Sequence, residues 1–242
     1  MCGVLLYITK NNNNISGQFA QNLNYLKKRG PDYFNSLLIQ KNNYNIFFGH
    51  TRLSILDITS NGNQPMSFDD NNVLIFNGEI YNHLEIREYL YKNFDINFRS
   101  NSDTETLYYL LKYVSFGNSL KMLSGMFSFC YYNKLENKIL IARDRAGEKP
   151  LYLYSNNKIF GISSDLITFK KLDSNLCYIN YSSVNDYMNY GYVPNPKTIY
   201  KNCFKIPPAS SIELDLNNFK LSTINNFNLI KEINFFGFKK WW

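Results

Sequence analysis

The second residue of the chain is a cysteine, Cys2, placed between Met1 and Gly3. A small side chain at position 2 permits removal of the initiator methionine. The new terminus would then carry a thiol and an α-amine a few bonds apart. An α-amine has an unperturbed pKa of about 7.7–8.0, so near neutral pH a sizeable share of it is an unprotonated base. The thiolate is the nucleophile, and a free thiol titrates at about 8.5. One residue would therefore hold both members of a nucleophile–base pair. The competing reading is that position 2 is often small, and taken alone Cys2 is no more than that.

Other polar groups end or interrupt apolar segments, where sites are usually built. They are Arg29-Gly30-Pro31-Asp32, His50-Thr51-Arg52-Leu53-Ser54-Ile55, Gln64-Pro65, Asn77-Gly78-Glu79-Ile80-Tyr81-Asn82, Ser102-Asp103-Thr104-Glu105 and the stretch from Ala142 to Tyr152, ARDRAGEKPLY. Each has a structural reading. Arg52 fits a surface strand, and Asn77-Gly78 is a common turn dipeptide. Ser102 and Glu105 form a capping box, with Asp103 favouring the helix dipole. Asp144 between Arg143 and Arg145 fits an ion pair. His50 and His83 have no Cys or carboxylate at ligand spacing and read as packing or hydrogen-bonding residues.

The elements that must position these groups follow from periodicity. Residues 3–9 read as a buried strand. Phe19, Leu23 and Leu26 fall on one helical face between about 16 and 29, and Gly30-Pro31 ends that helix. The cluster Lys27-Lys28-Arg29 would sit at its C-terminal end, where cations favour the dipole. Residues 36–40 and 45–51 form a strand pair, and 73–76 a strand that stops at Asn77-Gly78. Helices follow over about 82–93 (Ile86, Tyr89, Leu90, Phe94) and 103–115 (Leu107, Leu110, Leu111, Val114). Strands at 126–133, 138–143, 150–154 and 158–163 suggest an antiparallel meander. A helix near 183–189 precedes loop and strands over 191–216. Strands flank helices without regular alternation, so the expected class is α+β, packed antiparallel sheets covered by helices.

Composition narrows the classes. The chain has 242 residues, 45% hydrophobic and 17% aromatic, enough for a sizeable core. No run approaches the roughly 20 apolar residues of a membrane span, and the start lacks the positive region of a signal peptide. Cys2, Cys130, Cys177 and Cys203 contain no CxxC pair, so neither a zinc site nor a disulfide framework is supported, and reduced thiols in a cytoplasmic protein are expected. The net charge of +7 is scattered along the chain, which argues against nucleic-acid binding.

Together the structural readings become strained. Cys2, RGPD, HTRLSI, NGEIYN, SDTE and ARDRAGEKPLY occur in an order and spacing that closely resemble the glutamine amidotransferase type-2 domain, an N-terminal-nucleophile (Ntn) hydrolase domain. Within that group the chain is most similar to the N-terminal domain of glutamine-hydrolysing asparagine synthetases. The resemblance runs from Cys2 to about Asp215; amidophosphoribosyltransferase and aminosugar-synthase relatives match RLSILD and NGEIYN less well. One departure is Asp165, where the family has Glu.

The resemblance implies a four-layer α-β-β-α sandwich of two antiparallel sheets. It also implies roles. Cys2 attacks the side-chain amide of glutamine with its own α-amine as base. The Asn77 side chain and the Gly78 N–H form the oxyanion hole, with Gly78 letting the backbone come close. Arg52 holds the substrate carboxylate in a bidentate fork, and Asp103 holds the substrate ammonium. Leu53, Ile55 and Glu79 line the pocket. RGPD and ARDRAGEKPLY would be scaffold. No cofactor is implied in this chain; ATP and Mg would enter only through a synthetase domain, whose SGGxDS loop is missing here.

The expected organisation is an amidotransferase domain over 2–215, then a tail over 216–242, a remnant of the linker to that missing domain. Phe235, Phe236, Phe238, Trp241 and Trp242 would make the tail a sticky patch that engages a synthetase chain or drives self-association. The expected function is glutamine hydrolysis to glutamate and ammonia, with the ammonia donated to asparagine synthesis by a partner. The alternative is a non-catalytic glutamine-binding or regulatory relic.

Overall fold

The first strand dictates much of the architecture. In β1 (Gly3–Lys10), Val4, Leu6 and Ile8 point to one face and Leu5 and Tyr7 to the other, and all five are fully buried. A strand apolar on both faces needs a packing layer on each side. The computed structural model, which describes residues 1–11, 13–41, 43–69, 71–172 and 178–218, supplies both layers.

β1 pairs antiparallel with β3 (Tyr44–Arg52) and β8 (Ile159–Ser163). With β2 (Tyr33–Gln40), β7 (Tyr152–Ser155) and β9 (Cys203–Lys205) they form a six-stranded sheet, ordered β2-β3-β1-β8-β7-β9. The second sheet has the order β10-β6-β5-β4, from β4 (Asn72–Ile80), β5 (Gly125–Asn133), β6 (Lys138–Arg143) and β10 (Ser211–Asp215). Val4, Leu6, Ile8, Ile46 and Phe48 of the first sheet meet Val73, Ile75, Cys130, Tyr132 and Ile141 of the second. Outside the first sheet, α1 (Ser16–Leu26) and α5 (Ile167–Leu172) bury Phe19, Leu23, Phe169 and Leu172 against Leu5, Tyr7 and Phe47. Outside the second, α2 (His83–Phe94), α3 (Asp103–Tyr113) and α4 (Phe116–Met122) pack on Leu74, Phe76, Phe129 and Tyr131. The result is the expected four-layer α-β-β-α sandwich of two antiparallel sheets. A further helix, α6 (Tyr181–Tyr190), precedes β9. Among the described residues no helix is long and apolar enough to cross a membrane. The aromatic tail residues Phe235 to Trp242 lie outside the described residues.

Four local readings change. The segments around 126–163 are not one meander: β5 and β6 pair in the second sheet, while β7 and β8 pair in the first. ARDRAGEKPL is the crossing between them. Asn77-Gly78 is not a turn, because β4 runs through it to Ile80, with Gly78 opposite Phe127. A Cβ at Gly78 would overlap the Met126 carbonyl oxygen, so the glycine is required by the neighbouring strand. The capping box is only half made. Ser102 Oγ accepts from Thr104 N at 3.2 Å, but Glu105 accepts from the Arg99 and Ser100 N–H groups at 2.8 and 2.7 Å. Finally, α1 ends at Leu26, so Lys27–Arg29 lie beyond its last turn; Lys27 sits 3.4 Å over the Phe34 ring. The short helices α4 and α5 carry too few turns for periodicity to reveal them.

Phe48 lies at 0% exposure between the sheets. Phe48→Ala should cost about 3–5 kcal/mol of unfolding free energy, read from the denaturant midpoint. An unchanged midpoint would contradict this packing.

Candidate active site

β1 begins one residue after Cys2, so the central strand of the larger sheet carries the thiol to the end of the sandwich. Its sulfur is half-buried beside the residue after β3: Leu53 N donates to Cys2 Sγ at 3.4 Å, and the Leu53 carbonyl lies at 3.6 Å. Burial pushes the Cys2 thiol above its ordinary pKa, while the Leu53 N–H, the chain's amino terminus and Arg52 pull it down. Arg29 Nε donates to the Cys2 carbonyl at 3.1 Å, and Asp32 accepts from Ser54 N at 2.7 Å. RGPD therefore ties the cysteine backbone and the loop after β3 in place. Gly30 has no room for a Cβ beside the Thr51 carbonyl.

Arg52 ends β3 and is 5% exposed. Its two terminal nitrogens donate to the Thr59 carbonyl at 2.7 Å, Asn63 Oδ1 at 2.9 Å, the Leu56 carbonyl at 3.3 Å and the Asp57 carbonyl. Gly62 faces the guanidinium, and a Cβ there would overlap it. The expected free fork for a carboxylate is thus engaged by the 56–63 loop. Arg52 organises that loop and delivers charge, not an open bidentate face.

The other wall is the outer edge of β4. In an extended strand the N–H groups alternate between the two edges. Leu74 N donates to Met66 O at 2.9 Å, Phe76 N to Gln64 Oε1 at 2.6 Å and Ile80 N to Asp103 Oδ2 at 2.9 Å. Gly78 has the same parity, so its N–H points off the same edge, between the Gln64 and Asp103 contacts. Beside it, the Asn77 side-chain amide nitrogen is buried without a hydrogen-bond partner. A buried donor left unpaired costs about 1–3 kcal/mol and calls for an explanation.

Cys2, Arg52, Leu53, Ile55, Asn77, Gly78, Glu79 and Asp103 all line one cavity of about 220 Å³. The sequence-expected residues therefore converge, with Ile55 at the rim, 62% exposed. Asp103, at the N-terminus of α3, is 4% exposed, and burial raises its pKa to about 7 against the Ile80 hydrogen bond. Burial also raises the pKa of Glu79, opposed by the charge of Lys149. His50 is no ligand. It is fully buried and neutral, its pKa lowered to about 3 chiefly by burial, with Nε2 2.9 Å from the Phe76 carbonyl.

The profile of the glutamine amidotransferase domain family matches residues 1–225. The chain belongs to the glutamine amidotransferase domain family. It is 32% identical over 234 residues to a putative glutamine-hydrolysing asparagine synthetase of Methanocaldococcus jannaschii, covering 89% of this chain and 44% of that protein. It is 34% identical over 190 residues to a Bacillus subtilis asparagine synthetase, covering 77% of this chain and 28% of that protein. The chain thus spans less than half the length of these relatives. Its fold is similar to that of the glutamine phosphoribosylpyrophosphate amidotransferase from B. subtilis, with a TM-score of 0.63 at 17% identity, covering 91% of this chain and 49% of that one.

Within this amidotransferase domain, the lining residues not singled out as pocket residues from the sequence include Gly62, Ser102, Thr104, Met126 and Lys149. Gln64 is another, and it braces the site. Its Oε1 accepts from Phe76 N, and its Nε2 donates to Thr104 Oγ1 at 3.3 Å. The Gln-Pro pair at 64–65 marked that position, but nothing in it indicated a contact across to α3.

The buried carboxyl makes a prediction. A carboxyl whose folded pKa is raised favours the folded state most when protonated. The cost of ionised Asp103 is therefore full above pH 7 and is relieved as pH falls through 7 toward the ordinary value near 4. Asp103→Asn should accordingly raise the melting temperature at pH 8, with the gain shrinking toward pH 5. An equal or larger gain at pH 5 would contradict the assignment.

Proposed function

We propose that this domain hydrolyses L-glutamine to glutamate and ammonia, with Cys2 as nucleophile once Met1 is removed. The observation that carries the reading is the buried, unpartnered Asn77 amide nitrogen, beside the outward Gly78 N–H, on residues that line the same cavity as Cys2. Two donors next to a nucleophile match the needs of an acyl-transfer oxyanion.

The Cys2 α-amine takes the thiol proton, and the sulfur attacks the side-chain amide carbon of glutamine. The carbonyl oxygen becomes an oxyanion between Asn77 Nδ2–H and Gly78 N–H. Collapse expels the amide nitrogen, which receives the proton from the α-ammonium and leaves as ammonia. Water then attacks the thioester with the amine again as base, releasing glutamate and the thiol. Asp103 meets the substrate ammonium. The pair is strongest with Asp103 ionised, so affinity falls as pH drops below about 7. Arg52 draws the α-carboxylate toward the loop it holds. Apart from glutamine and water, this cycle draws only on groups of the chain. By the names of the relatives, the ammonia serves asparagine synthesis on a synthetase-type domain or partner.

The test is glutamate release by the processed protein in the presence of EDTA. Wild type should turn over, Cys2→Ala should not, and Asn77→Ala should lose about 10²–10³ in kcat. Release by Cys2→Ala equal to wild type, or a wild-type kcat in Asn77→Ala, would sink the proposal.

A further inference from the structure

The crossing loop between β6 and β7 is built with more care than a connector needs. Asp144 accepts from Glu148 N at 2.9 Å and Lys149 N at 3.0 Å. Arg143 Nε donates to the Lys149 carbonyl at 2.7 Å, and its terminal nitrogens bond the Gly147 carbonyl at 2.6 Å and the Ile206 carbonyl. Lys149 is thus clamped on both sides of its backbone. It is 8% exposed and lines the cavity. Among the described residues no hydrogen bond or ion pair engages its ammonium, and none engages the Glu79 carboxylate. Glu79 nevertheless feels the Lys149 charge.

The charged groups facing this cavity are Arg52 from β3, Glu79 from β4, Asp103 from α3 and Lys149 from the crossing loop, with the Cys2 thiol and the terminal amine at the start of β1. With both carboxylates ionised, the two side-chain cations and two carboxylates balance, which suits a zwitterion. Glu79 acts on both Cys2 and Asp103, raising the pKa of each. An unbalanced Glu79 would therefore oppose thiolate formation and the ionisation of Asp103 together.

We propose that Lys149 is a positioning residue of this site: its ammonium offsets the charge of Glu79, so that Cys2 and Asp103 face a balanced cavity. The proposal deepens the glutaminase reading and rests on it for its catalytic meaning. The electrostatic part can be read without turnover.

The experiment is alkylation of Cys2 by iodoacetamide between pH 7 and 10, followed on the Cys2 peptide by mass spectrometry, alongside glutamate release. Lys149→Met should slow Cys2 alkylation at pH 8 about threefold to tenfold, whereas Lys149→Arg should stay within about twofold of wild type. Glu79→Gln should speed it, and the double variant Lys149→Met/Glu79→Gln should return toward wild type, which a purely structural lysine would not do. A Lys149→Met profile superimposed on wild type, a Lys149→Arg as slow as Lys149→Met, or a double variant no closer to wild type than Lys149→Met would each overturn the proposal. If Lys149→Met does not fold, Lys149→Gln, alone and combined with Glu79→Gln, takes its place, and the same outcomes decide. Should wild type release no glutamate while alkylation follows this pattern, the glutaminase reading falls and the role of Lys149 stands.

Discussion

The site depends on an unfinished sheet edge. β4 is the last strand of its sheet, and an edge presents a row of N–H and C=O groups that must be paired, covered or wetted. Here the row is paired piecemeal by groups from elsewhere: a backbone carbonyl at Met66, a side-chain oxygen at Gln64 and a carboxylate at Asp103. Gly78 falls between two of these braces. The same contacts that satisfy the edge also fix what surrounds the opening. Gln64 reaches on to Thr104, and Asp103 begins α3, so the helix and the strand edge are set relative to one another by side chains that also line the cavity.

The second wall belongs to the other sheet, so its placement depends on how the two sheets meet. Apolar packing between Leu6, Phe48, Ile75 and Tyr132 holds them face to face. The hydrogen bond from His50 to the Phe76 carbonyl adds a fixed polar link from β3 to β4, two residues before Arg52 and one before Asn77. A neutral imidazole suits that place, because a carbonyl only accepts and a buried charge there would have no counter-ion. Cys2 and Arg52 thus approach Asn77 and Gly78 across a seam that is packed beneath and pinned at its edge. Charge completes the cavity: two cations and two carboxylates sit in a space of about 220 Å³, a pattern matched to a small zwitterion.

Much of this was legible in the residues. The doubly apolar β1, the helix faces and the polar groups at segment ends give the layers and bring the right side chains to one place. Cys2, Asn77 and Asp103 each had a plain structural reading alone, and became legible as site residues through the family resemblance of the motifs that hold them. What escaped depends on tertiary context. Asn77-Gly78 carries turn chemistry, yet it lies within β4 because β5 presses flat against Gly78. Arg52 has the chemistry of a carboxylate fork, but its terminal nitrogens are spent on a loop whose path the sequence does not reveal. Lys149 sits in a motif that reads as scaffold. Only the crossing between sheets shows that the scaffold ends on a cavity cation.

The central claim is that Cys2, freed at its amine, faces a pocket shaped for L-glutamine. The most direct measurement is intact-mass analysis after incubation with an L-glutamine analogue bearing an electrophilic diazoketone in place of the side-chain amide. One adduct on Cys2 is expected, in the Met1-free species only, slowed by excess L-glutamine and not by D-glutamine. Labelling that ignores L-glutamine, or that proceeds equally with Met1 retained, would contradict the account.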